Sequence, residues 1–246
     1  MNFWDYFFEN RLYISYSAEF IAAISGSVYL FKNPNPIVSY RLFTYFLWLV
    51  VWVEILGLYP LIAYVTDYEV FGFTEGSSFE RNWWLYNIFK IVQYYFYYSF
   101  FRMQIQSKRR KKIIKHITAF YVVSAIISGF VLEGFFKSIS AYIYIVGAFG
   151  LLICIGLYLM ELLNSSRILD SFGKLTFYMA AGLMIWTLTV MPLFIYSTYV
   201  NSENPAFVSV YYGSLRLANL VLYLLYALAF YIDYRSLKVK GKIDQT

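Results

Sequence analysis

Four ionisable side chains stand inside long apolar runs of this chain: Glu19, Glu54, Lys90 and Arg216. Groups of this kind in an apolar setting can hold an opposite charge, bind a small polar ligand, or pass ions and protons. Lys90 lies in the stretch LYNIFKIVQYYFYYSF, with Asn87 and Gln93 one turn away on either side. At 100° per residue, Asn87, Lys90, Gln93, Tyr94 and Tyr97 fall within roughly a third of a helix circumference. Arg216 shares a helical line with Tyr212, Asn219, Tyr223, Tyr226 and Phe230. Glu19 shares its face with Ser15, Ala22, Ala23 and Gly26, small residues that allow helices to approach closely. An unpaired charge in such a place costs between about 2.5 and 10 kcal/mol or more. Two acids and two cations give a neutral set, with Glu54–Lys90 and Glu19–Arg216 as the expected pairs. The candidate site is therefore Glu19, Glu54, Asn87, Lys90, Gln93, Arg216 and Asn219.

Two readings of this set are open. In one the pairs are devices that fix helix order and rotation; in the other they line a polar pocket open to the outside.

The elements that position these residues follow from composition. Of 246 residues, 61% are hydrophobic and 14% charged, where soluble domains are about a quarter charged. The mean hydropathy is +0.56. Seven apolar segments are expected as helices, at 13–31, 42–66, 83–105, 113–133, 139–163, 174–199 and 209–233. Each is long enough to cross a hydrocarbon core of about 30 Å. The fold class expected is all-α, an integral bundle of seven transmembrane helices over 13–233. An aromatic interfacial segment precedes it over 1–12, and a basic tail follows over 234–246. The acidic Asp5 and Glu9, and the lack of a small-residue cleavage site, argue against a secretory signal.

Charge sets the expected orientation. The breaks after the first, third and fifth segments, with the tail, collect Lys32, Arg41, Arg102, the run Lys108 to Lys112, Lys174, Arg235 and Lys238. The other side holds three cations, Arg11, Arg81 and Lys137, among many acids. The bias places the N-terminus outside and the C-terminus in the cytoplasm. The run SKRRKKIIKH is a topology signal that can also meet anionic headgroups or an acidic partner through Lys108, Arg109, Arg110, Lys111 and Lys112.

Other features are structural. Pro60 and Pro192 are expected to kink the second and sixth segments, either as a hinge or pocket wall or as ordinary kinks repaired by Thr187 or Thr189 or by neighbouring helices. Gly147, Gly150 and Gly156 are read as close-packing positions, and Cys154 as an inert buried thiol. His116 is the one histidine, so paired-histidine haem and His-rich zinc sites are excluded. No Gly-rich phosphate loop or G-x-S-x-G is present, and no cofactor or metal is expected. The isolated basic run does not argue for nucleic acid.

The pattern WVEILGLYP, followed by NWWLYNIFKIVQYYFYY and a basic loop, resembles a group of small seven-span proteins common in Bacteroidota. The likeness runs through the second to fourth segments, carried by Glu54, Gly57, Tyr86 and Asn87. It implies a bacterial inner membrane as the setting and carries no activity. The function expected is a multi-pass sensor or signal-relay protein, with an intramembrane pocket for a small polar ligand and a cytoplasmic partner. A small-molecule or ion transporter or channel is the alternative, as is a structural subunit of a membrane complex. Neither a nucleophile–base pair nor a metal set points to an enzyme.

Overall fold

A computed structural model describes residues 3–131, 135–165, 171–196 and 204–243. Arg167 and Glu203, which lie in two of the expected connections, fall outside the described residues, as do 132–133 (with Glu133) and 197–199 at the ends of two expected segments. Among the described residues the chain is all-helical, with no strand. In order, the helices are α1 (Phe3–Glu9), α2 (Leu12–Lys32), α3 (Val38–Leu56), α4 (Tyr59–Val65), α5 (Trp83–Gln104), α6 (Lys108–Val131), α7 (Ala141–Leu163), α8 (Leu175–Ile195) and α9 (Pro205–Ile243).

Among the described residues six stretches are long and apolar enough to cross a membrane: Leu12–Lys32, Val38–Val65, Lys108–Gly129, Ala141–Leu163, Leu175–Ile195 and Pro205–Val239. This is the make-up of a multi-pass membrane protein. Helix α5, the third expected segment, has sufficient length at 22 residues but not the apolarity. Tyr86, Asn87, Lys90, Gln93, Tyr94, Tyr97 and Tyr98 occupy it, and its polar face is turned inward.

Helices α2, α3, α5, α7, α8 and α9 form a ring in which α9 packs back against α2. Helix α6 lies outside the ring, against α5 and α7. Close approach along α7 depends on glycine. A Cβ built on Gly147 would overlap the Tyr94 ring, and one on Gly150 would fall 2.5 Å from the Tyr98 hydroxyl. Gly156 has nothing within 4 Å, so it is not a packing position.

The disturbance expected at Pro60 falls at Gly57 and Leu58, an interruption between two helices that keeps right-handed helical backbone and lies within one spanning stretch. Helix α3 ends at Leu56, and α4 restarts with proline in its first turn, where a missing N–H is tolerated. The Leu58 N–H bonds to Ile55 O rather than reaching back four residues. The Glu54 carbonyl accepts from the Tyr16 hydroxyl at 3.3 Å. Pro192 lies within α8. Neither threonine repairs it as expected: Thr189 donates to Ile185 O, and the buried Thr187 hydroxyl has no partner.

Aromatic side chains of α3, α5 and α9 pack together inside the ring. Phe43 meets Tyr226 edge-on at 4.9 Å and stacks on Phe230 at 5.7 Å, while Phe46 stacks on Phe96 at 4.1 Å. Phe43, Phe100, Tyr226 and Phe230 are all buried.

Beyond this layer, toward the basic end, a polar network ties five helices. Asp233 of α9 accepts from the Tyr29 hydroxyl of α2 at 2.8 Å and from the Leu175 N–H opening α8 at 2.9 Å. Gln104 of α5 donates to Ser39 of α3 at 2.7 Å and accepts from Thr176 of α8 at 3.2 Å.

Candidate functional site: a charged cavity in the ring

On the other side of the aromatic layer, the ring encloses a cavity of about 400 Å³. Helix α2 supplies Glu19 and α3 supplies Glu54, in its last turn. Helix α5 supplies Tyr86, Lys90, Gln93 and Tyr97, helix α7 Tyr144, helix α8 Trp186, and helix α9 Asn219 and Tyr223. Five of the seven residues expected at the site, Glu19, Glu54, Lys90, Gln93 and Asn219, thus face one space.

The other two do not. Asn87 is fully buried on α5 but turns toward the chain entering α7. Its amide donates to the carbonyls of Phe135 and Ser138 and accepts from the Ser140 N–H, all at 2.9 Å. It is a structural clamp. Arg216 leaves the interior: its guanidinium donates to the Asn10 carbonyl, at the turn between α1 and α2, at 2.9 Å. The long side chain carries its charge along the helix toward the bundle end, where it meets a carbonyl and solvent.

The expected ion pairs also fail. No carboxylate oxygen of Glu19 or Glu54 comes within 4.0 Å of the Lys90 or Arg216 nitrogens. The Lys90 ammonium donates to Gln93 Oε1 at 2.7 Å and lies over the rings of Tyr144 and Trp186, at 4.9 and 5.4 Å from their centroids. A cation over aromatic faces is stabilised by the ring quadrupole, so Lys90 is accommodated without a counter-charge in contact. The partner of Glu54 is the Tyr86 hydroxyl, which donates to Oε2 at 2.9 Å. Tyr86 is itself held at close range, because a Cβ on Gly57 would fall 2.6 Å from its hydroxyl. Gln93 is fixed at both ends, its Nε2 donating to the Tyr97 hydroxyl at 3.3 Å. Asn219 accepts from the Trp186 indole at 2.7 Å. Glu19 is 4% exposed and makes no hydrogen bond.

No family model, curated protein or solved structure matches the chain. The site must be read from its own geometry.

That geometry supplies charge, hydrogen-bonding groups and aromatic walls. Among the described residues no group of three His, Cys, Asp or Glu side chains could hold a metal. The aromatic lining from α7, α8 and α9 was not among the expected site residues, since rings in a membrane protein more often pack or face lipid. Tyr94 and Tyr98 do pack: Tyr98 donates to Gly147 O at 2.7 Å. Their neighbour Tyr97 enters the cavity. Asp233, the last residue of the expected segment 209–233, lies where a charge would meet the interface, so its position along the chain does not mark it as buried; the structure leaves it 5% exposed.

The basic run begins α6. Positive side chains at a helix N-terminus oppose the macrodipole. Glu161 of α7 offsets this by accepting from the backbone N–H of Gln106 and Ser107 and from Arg110 at 3.1 Å. Arg110 is thereby taken up within the protein.

Proposed function

We propose that this chain is a seven-span membrane receptor whose central cavity binds a small polar ligand and relays its presence to the cytoplasmic side. The observation that carries the reading is the convergence of Glu19, Glu54, Lys90, Gln93 and Asn219 on one cavity without direct salt bridges between them. Charges that only fixed helix order would close on each other. A space of about 400 Å³ lies within the range of small-molecule sites, roughly 300–1,000 Å³.

The aromatic layer beneath the cavity supports binding over conduction, since Phe43, Phe100, Tyr226 and Phe230 are packed and buried there. In this reading α5 is the seventh span, its polar face covered by its neighbours. The Lys/Arg bias orients the N-terminus outward, so the cavity opens outside and the basic start of α6 faces a cytoplasmic partner. Lys108, Arg109 and Lys112 are exposed there. The resemblance carried by Glu54, Gly57 and Tyr86 supports a bacterial inner membrane, and these three residues are in mutual contact.

Native mass spectrometry of the protein released gently from its own membranes tests the reading. A co-purifying small molecule, lost in the double variant Lys90→Met with Glu54→Gln, is the expected result. Solute flux through proteoliposomes above background would overturn it in favour of a transporter. An empty cavity in a stable wild-type protein, with the double variant merely less stable, would leave the charges a packing role.

A further inference from the structure

The displacement of Arg216 leaves the cavity unbalanced. With all groups ionised, two carboxylates, Glu19 and Glu54, face one ammonium, Lys90, for a formal charge of −1. The ammonium is already engaged by Gln93 and two aromatic rings. Glu54 has one hydroxyl donor on Oε2. Glu19, at 4% exposure, has none. A carboxylate withdrawn from water without a donor or counter-charge is strongly unfavourable, so the cavity lacks a positive group beside Glu19.

The walls define what kind of positive group fits. Tyr86, Phe89, Tyr97 and Tyr223 line the same cavity as the acids. Hard metal ions need six or more oxygen ligands, which two carboxylates and a set of phenols do not provide. Aromatic faces with an acid nearby are the recognised chemistry for ammonium groups on carbon skeletons. We propose that the cavity selects an organic cation, an amine or alkylammonium of about the size of an arylalkylamine. Its nitrogen lies against Glu19 and Glu54 and its apolar part against the ring faces, while Lys90 repels a second cation and excludes a larger polycation. This deepens, and rests on, the receptor reading above.

The test uses the full chain in nanodiscs, with three probes of one size: phenethylammonium, phenylacetate and neutral benzyl methyl ether. Binding is read by calorimetry and by the shift in melting temperature. Phenethylammonium alone should bind, with affinity weakened roughly tenfold or more by Glu19→Gln, as expected for loss of a charge-assisted contact. Glu54→Gln serves the same purpose should Glu19→Gln fail to fold. Arg216→Gln, outside the cavity, should leave the affinity unchanged. Tighter binding of phenylacetate would overturn the cation assignment and make Lys90 the anchor, with the receptor reading intact. Equal binding of phenethylammonium to wild type, Glu19→Gln and Glu54→Gln would also overturn it. Failure of all three probes overturns the cation assignment, and the co-purification experiment separately decides whether the cavity holds any ligand.

Discussion

At the scale of single residues, the decisive feature is how far each side chain can be moved before something collides. Gly147 and Gly156 lie nine positions apart on one helix and differ completely in this respect. A methyl at Gly147 meets the ring of Tyr94, which is 2% exposed and packed edge-on against Tyr121 at 5.5 Å. With no direction open to the ring, Gly147→Ala should destabilise the protein by about 1–3 kcal/mol. Gly156→Ala meets nothing and gains helix propensity, so it should be neutral or stabilising by up to about 1 kcal/mol. Melting of the two variants in the same detergent checks the pair, and equal losses would refute the packing account of Gly147. Sequence identified both as close-packing glycines, because spacing along one helix does not say which neighbour each glycine faces.

At the scale of elements, the bundle is held by side chains that satisfy the ends of helices other than their own. Asn87 clamps the entry to α7 through three backbone groups. Asn87→Ala would remove the partner of those part-buried backbone groups, and a loss of about 1–3 kcal/mol follows. Thermal melting should show the loss, while cavity binding measured well below the transition should persist. Loss of binding with stability unchanged would instead make Asn87 a ligand contact. Glu161 acts on the start of α6 in the same way, but at a half-exposed site where solvent screening weakens it. Glu161→Ala should lower stability by less than about 1 kcal/mol, and its main effect should be faster amide hydrogen exchange across 106–110. Unchanged exchange there would show that water caps α6 equally well. The interruption between α3 and α4 at 57–58 also belongs to this scale. Pro60 marked a disturbance in the sequence, but whether the helix bends or restarts depends on partners from elsewhere, here Tyr16, Asn82 and Tyr86.

For the whole molecule, two polar regions are separated by one aromatic layer. The region at the basic end is anchored by Asp233, which joins α2, α8 and α9. Asp233→Ala removes the acceptor for two buried donors and should cost about 2–4 kcal/mol, a loss visible in the melting temperature. Asp233→Asn retains one carbonyl acceptor and should lose clearly less; equal losses would show that the charge itself matters. Orientation is a property of the whole chain as well. A fluorescent protein fused after Thr246 should fold and fluoresce in the cytoplasm if the basic loops are inside. Activity of a periplasmic reporter at the same position would reverse the proposed topology and turn the cavity to the other face.

Sequence by itself determined that the chain is a bundle of apolar helices, and that Glu19, Glu54, Lys90, Gln93 and Asn219 look inward. Both follow from local physics: apolar runs of this length must satisfy their backbone as helix, and the period of the polar residues fixes one face of each helix. Only the tertiary structure decided what those residues meet. The long side chain of Arg216 reaches away from the face its spacing indicates, to a carbonyl supplied by another element. Lys90 finds aromatic rings from α7 and α8 where a carboxylate was expected. Partners of this kind depend on the order and rotation of neighbouring helices, which no single helix encodes.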